Sequence, residues 1–127
     1  MSRQVLEPSA KHPITIEPTA GQVVVRVGDT VVANSAHALT LQESTYPAVQ
    51  YIPLADVDQS LLRRTDTSTY CPFKGDASYY SVATPDGATV TDAIWTYEQP
   101  HAAVSEIKDH VAFYADRATV TVEPASA

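Results

Sequence analysis

With a single cysteine, Cys71, in 127 residues, the chain can form no internal disulfide and no zinc site built on paired cysteines. Its four glycines leave no phosphate-cradling loop, and no G-x-S-x-G elbow presents a serine nucleophile. The four histidines, His12, His37, His101 and His110, have neither HxH nor HExxH spacing, so no metal site is expected. No apolar run approaches the ~20 residues that cross a bilayer, and the opening Met1-Ser2-Arg3-Gln4-Val5-Leu6-Glu7-Pro8 lacks the apolar stretch of a secretory signal. Positive charge is scarce too. Eight Lys and Arg face fifteen Asp and Glu, and the net charge of −7 opposes attraction to nucleic acid or anionic lipid. The expectation is a cytoplasmic protein with no nucleic-acid or membrane partner. A chain of this length buries enough surface for one core, so stability demands no cofactor.

What the chain does have is a series of short alternating apolar segments. Residues 1–11 carry no periodicity and read as a flexible arm; residues 12–123 read as one β-rich domain, and 124–127 as a tail. Ile14 and Ile16 alternate with Thr15 and Glu17. Val23 to Val27 and Thr30 to Ala33 flank Gly28-Asp29, a two-residue turn that should set Val27 opposite Thr30 and Val25 opposite Val32. Ala38 to Leu41 and Val49 to Ile52 give two more strands. Ala77 to Val82 and Ala88 to Tyr97 form a hairpin around Thr84-Pro85-Asp86-Gly87, whose register should pair Tyr79 with Ala93, Ala77 with Trp95 and Lys74 with Glu98. Ala118 to Val122 closes the series. Asp56, with Gln59 three residues later and Val57, Leu61 and Leu62 as an apolar stripe, predicts a helix ending near Arg64. Thr65 to Tyr70 reads as a polar connection. Val104, Ile107 and Val111 predict a second helix over 102–110. The fold class is therefore mainly β: a single-domain bent antiparallel sheet or half-open barrel with two short helices.

Chemistry-bearing residues gather in a few places. Thr69-Tyr70-Cys71-Pro72-Phe73-Lys74-Gly75 puts a thiol, an ammonium and a flexible glycine within one turn. A nearby cation raises the thiolate fraction, which makes Cys71 a candidate nucleophile and Lys74 its activator. A free cysteine is equally at home as a small buried hydrophobe, and the spacing leaves both readings open. Asp56-Val57-Asp58 has the alternation of a metal-binding carboxylate pair, but its place at a helix start favours capping. Tyr46, Tyr51, Tyr70, Tyr79, Tyr80, Trp95 and Tyr97, with Glu43, Arg64, Lys74 and Glu98, have the composition of a small-ligand pocket, apolar walls with a few convergent charges. The other reading makes the aromatics core and the charges rim.

Several short motifs carry a family resemblance. His12-Pro13-Ile14, Glu43-Ser44-Thr45-Tyr46-Pro47, Tyr51-Ile52-Pro53, Asp56-Val57, Arg64-Thr65, Cys71-Pro72-Phe73-Lys74-Gly75, Tyr79-Tyr80-Ser81, Trp95 with Tyr97, and Phe113-Tyr114 stand in order along the chain. Together they resemble the bacterial domain-of-unknown-function family 427 from about Pro13 to Val122. The resemblance implies a compact, mostly β single domain and a shared pocket around Glu43, Tyr46, Arg64, Cys71, Lys74, Tyr80 and Trp95. Family members sometimes carry a nucleotidyltransferase label. Proline and arginine often follow the Tyr-Ile-Pro stretch in the family; Leu54 and Ala55 stand there here, so one basic contact that a phosphate clamp would use is missing.

Three functional expectations follow. The first is a small-molecule-binding β domain with ligand contacts from Glu43, Tyr46, Tyr51, Arg64, Tyr80, Trp95 and Tyr97. The second is a transferase or hydrolase that depends on Cys71 and Lys74, with a tyrosine hydroxyl donating to the developing oxyanion. The third is a structural domain whose aromatic face is a homo-oligomer interface.

Overall fold

The computed structural model describes residues 4–124. Residues 1–3 of the expected arm and 125–127 of the expected tail lie outside them. Ten strands account for most of the regular structure: β1 (Ile14–Pro18), β2 (Gln22–Val27), β3 (Thr30–Ser35), β4 (Leu39–Glu43), β5 (Val49–Pro53), β6 (Leu62–Cys71), β7 (Gly75–Ala83), β8 (Thr89–Thr96), β9 (His110–Phe113) and β10 (Thr119–Glu123). They form a seven-stranded sheet of order β1-β4-β5-β9-β8-β7-β6 and a three-stranded sheet of order β10-β2-β3. The pairings are antiparallel throughout. The sheets do not close into a barrel, and the fold is a mainly β, bent-sheet domain. No helix among the described residues is long and apolar enough to cross a membrane.

Successive strand residues point to opposite faces, and that rule divides the core in two. Ile52, Ile94, Val111 and Val82 pack against Val23, Val25 and Val32 of the smaller sheet. Their neighbours Tyr51 and Ala112 instead join Leu41, Tyr79, Tyr97, Val104 and Ile107 in a second cluster, with Trp95 packed against it. The large sheet is thus apolar on both faces. The candidate pocket lies on the second.

Neither expected helix forms. Leu54–Asp56 and Gln59–Leu61 are single 3₁₀ turns, and Val57 between them is extended. The reason is tertiary: Val57 bridges Ala33, and the Asp58 N–H bonds Val32 O at 2.8 Å, so this segment is fixed to β3 before a helix can propagate. The expected polar connection 65–70 is part of the long strand β6, whose threonines suit a strand. Asp58, and not Asp56, is the cap, accepting from Ser60 N at 3.2 Å. Asp56 instead accepts from the buried Ser35 hydroxyl at 2.6 Å. Replacing Asp58 by alanine is expected to cost about 0.5–1 kcal/mol in a urea titration. The segment 102–107 is likewise 3₁₀, kinked at Val104.

Both hairpins turn where expected, but their registers slip. Val27 does face Thr30, and Gly28 takes φ +58°. A bulge after Val25 then sets Val25 against Ala33, not Val32. At the other turn Thr84 N bonds Ala88 O at 2.9 Å and Gly87 has φ +92°, as a bulged three-residue loop requires. Further along, Tyr79 faces Trp95, and neither the Tyr79–Ala93 nor the Ala77–Trp95 pair forms. The cause is Asp92. It sits in the left-handed region at φ +48°, its N–H bonds the Ser81 hydroxyl at 3.0 Å, and its carboxylate accepts from Thr65 and Thr67 at 2.7 and 2.6 Å. Ala83–Thr89 and Val82–Val90 keep the expected register, and beyond the bulge the slip is by two residues, so the aromatic face survives while the partners there change.

Candidate functional site

Four strand segments supply the site, each through alternate residues on one face. β4 gives Leu41 and Glu43, β5 gives Val49 and Tyr51, β7 gives Tyr79, and β8 with its extension gives Trp95 and Tyr97; Tyr114 follows β9. Together with Tyr46, Pro47 and Lys74 they line a cavity of about 210 Å³. The walls are held by their own contacts. Trp95 Nε1–H donates to Tyr51 Oη at 3.1 Å, and the two rings meet edge to face at 6.3 Å. The Tyr114 ring lies 4.6 Å from Trp95, with the Arg117 guanidinium 5.0 Å away over the Tyr114 ring. Tyr79 Oη takes part in hydrogen bonds with Thr69 at 2.9 Å and Tyr114 at 3.4 Å.

The charged end of the cavity is an ion pair. Lys74, on the β6–β7 turn, donates to Glu43 Oε1, and His12 Nε2 lies 2.8 Å from Glu43 Oε2. His12 is itself stacked on Phe73 at 4.2 Å. Burial disfavours the Glu43 carboxylate, but the hydrogen bonds from Lys74 and His12 outweigh it and hold its pKa below the ordinary value. The chain before β1 passes close by: Leu6 N bonds Pro72 O at 3.0 Å, and Tyr70 Oη donates to Gln4 O at 2.6 Å.

Tyr97 is the unusual member. It is only 8% exposed, yet among the described residues its hydroxyl has no hydrogen-bond partner. Among the described residues no buried side-chain oxygen is left both unpartnered and sealed from solvent, so this hydroxyl opens into the cavity that Tyr97 lines. Tyr51 accepts the indole proton and keeps its own proton for a second acceptor. Burial pushes both phenol pKa values well above the ordinary tyrosine range, while Tyr114 is raised to about 12 by burial and its Tyr79 contact. Tyr51 and Tyr97 are thus neutral proton donors.

Of the residues expected from sequence, Glu43, Tyr46, Tyr51, Lys74, Trp95 and Tyr97 converge on this cavity. Arg64 and Tyr80 do not. They are direct cross-strand partners on the opposite face from Tyr79, where Arg64 lies 5.6 Å over the Tyr80 ring and bonds Glu98 at 2.6 Å. Glu98 is therefore the partner of Arg64, and the expected Lys74–Glu98 pair is replaced by Lys74–Glu43. Cys71 is half-buried against the second cluster, 3.9 Å from Lys74 Nζ, and is not part of the cavity lining. Tyr79, expected in the aromatic cluster, lines the cavity as well; His12, Leu41, Val49 and Tyr114 lie outside the expected pocket residues. Period-two spacing from Glu43, Tyr51 and Trp95 points to the first strand neighbours; nothing local points to His12, which reaches Glu43 across 31 residues. No group of three or more His, Cys, Asp or Glu among the described residues is placed to hold a metal ion.

Comparison with curated proteins returns no match. A family model described as a domain of unknown function, DUF427, matches residues 15–124, which takes in every strand from β2 to β10, nearly all of β1, and the whole cavity lining. The chain belongs to the DUF427 family.

Proposed function

We propose that this domain binds a small molecule in the cavity between β4, β5, β7 and β8, and that the ligand is a flat ring carrying a hydrogen-bond acceptor. The observation that carries the reading is the Tyr97 hydroxyl, a nearly buried donor without a partner among the described residues, in an aromatic-walled hollow. Tyr51 offers a second donor beside it, and tyrosine and tryptophan faces supply stacking surface. The Lys74–Glu43 pair balances its own charge, which favours an uncharged ligand over a phosphate ester. A cytoplasmic location, without nucleic-acid or membrane partners, is part of the same proposal and rests on the net charge of −7 and the lone cysteine.

Trp95 is the sole tryptophan, so its fluorescence reports on the cavity directly. Benzamide, a single ring with one carbonyl acceptor, is expected to alter that emission saturably with a Kd on the order of millimolar. Tyr97→Phe should weaken binding about three- to tenfold while leaving the fold intact. Equal affinity in the two proteins would overturn the reading.

A Cys71 nucleophile is the second reading, favoured by the 3.9 Å approach of Lys74 Nζ to the thiol. Against it, Lys74 is already paired with Glu43 and the sulfur lies outside the cavity lining. Unchanged benzamide binding in Cys71→Ser supports the binding reading. A native protein alkylated by iodoacetamide well below pH 8.5 supports the nucleophile.

A further inference from the structure

A second hollow, of about 420 Å³, adjoins the first between the β4–β5 connection, the end of β9 and β10. Pro47, Val49, Trp95 and Tyr114 line both. The chemistry of the two differs. The first holds the Glu43–Lys74 pair and the Tyr51 and Tyr97 phenols, whereas among the described residues the second has no charged side chain in its lining, which is made mainly of alanine, valine, proline and aromatic residues with Gln50. Its outer wall includes Val122, 47% exposed on a strand that pairs only with β2.

Size separates them as well. At about 210 Å³ the polar cavity is below the roughly 300–1,000 Å³ typical of small-molecule sites and suits one substituted ring. The second hollow falls within that range by itself, and the two together have room for a ligand larger than one ring. We infer that the two hollows are compartments of one site, and that the natural ligand is amphipathic: an acceptor-bearing ring among Tyr51, Tyr97 and Trp95, extended past Trp95 and Tyr114 by an uncharged aliphatic chain that lies in the second hollow. The inference rests on the ligand-binding reading of the first cavity. The four shared residues argue for continuity, and the mainly apolar lining of the second hollow, in which Gln50 is the one non-aromatic polar side chain among the described residues, favours an apolar extension over a charged one, whose desolvation would go uncompensated there.

A series of uncharged para-alkylbenzamides, from benzamide to 4-butylbenzamide, tests it on the full chain by Trp95 fluorescence or NMR titration. Each buried methylene is expected to tighten binding about threefold. Val122→Asp, and independently the exposed Ala48→Asp, should flatten that dependence while leaving benzamide itself within about twofold of the parent protein. Tyr97→Phe should weaken all members by a similar factor and leave the slope intact. Two variants guard against one that fails to fold, and circular dichroism checks each. If benzamide binds but the chain-length slope is flat in the parent protein, the two-compartment inference is overturned and the reading of the first cavity stands. If no member of the series binds, both fall. A flat slope in a protein that sediments as a dimer, and as a monomer after Val122→Asp, overturns the inference by assigning the second hollow to contact between copies of the chain.

Discussion

Replacing Lys74 by methionine is expected to destabilise the domain by about 2–4 kcal/mol, a large share of the roughly 5–15 kcal/mol that holds a domain of this kind together. The Lys74 and Glu43 side chains are only 10% and 15% exposed, so removing the ammonium strands a carboxylate in a desolvated place with His12 as its remaining partner. The lower part of the range reflects the water that still reaches Glu43. Most of the loss should return in the double variant Glu43→Leu/Lys74→Met, because the penalty comes from the orphaned charge and not from the missing attraction. Urea denaturation of the four proteins measures the coupling. The acid limb gives an independent check. The folded pKa of Glu43 is depressed, so its contribution is fully present above the unfolded value of about 4.5 and is lost as pH falls through the folded pKa. That acid loss should shrink in Lys74→Met. A single variant as stable as the parent protein would contradict the buried ion pair.

Gly75→Ala is the second substitution with a large expected effect, about 2–3 kcal/mol. Gly75 has φ +114°, a conformation a side chain rarely adopts, and a Cβ there would stand 3.2 Å from the Gln99 carbonyl oxygen and 3.7 Å from His101 N. The tight contact is the one to Gln99, and the segment that carries it is tied to this turn by the hydrogen bond from His101 N to Lys74 O at 2.9 Å. The strain falls at the root of the turn that carries Lys74 and Cys71, so the same substitution should displace the charged end of the cavity. Loss of stability together with a shift of the Trp95 fluorescence maximum is the expected pair of results. A stable variant with unchanged emission would mean that the close approach to Gln99 is not tight.

The contrast between these residues explains what could be read in the sequence. Alternation places Glu43, Tyr51, Trp95 and Tyr97 on inward faces wherever their strands lie, and turn chemistry at Gly28-Asp29 and Pro85-Asp86-Gly87 depends on a few adjacent residues. Such local rules identify the mainly β fold and most of the cavity wall. Register is another matter. The bulge at Asp92 is held by Ser81, Thr65 and Thr67 from neighbouring strands, so counting from the turn cannot find it, and the Lys74–Glu98 pair fails for that reason. Composition and the family resemblance both bring Tyr80 to the pocket, but Tyr80 adjoins Tyr79 on one strand and so faces away from it, together with its cross-strand partner Arg64. The first expected helix failed because the pairing of Val57 with Ala33 outweighs a local capping signal. Tyr97 shows the limit most sharply: its sequence position marks it as inward, but only the packed structure reveals that its hydroxyl has no partner among the described residues.

The most direct measurement is an NMR fragment titration that follows the single indole N–H signal of Trp95, whose proton is donated to Tyr51 Oη inside the cavity. Uncharged single-ring acceptors such as benzamide should shift this signal saturably, together with backbone amides of Glu43 and Tyr97. Their affinity should fall about three- to tenfold in Tyr97→Phe. If saturating fragments leave the indole signal in place, or shift it identically in Tyr97→Phe, the cavity is not a binding site of the kind described.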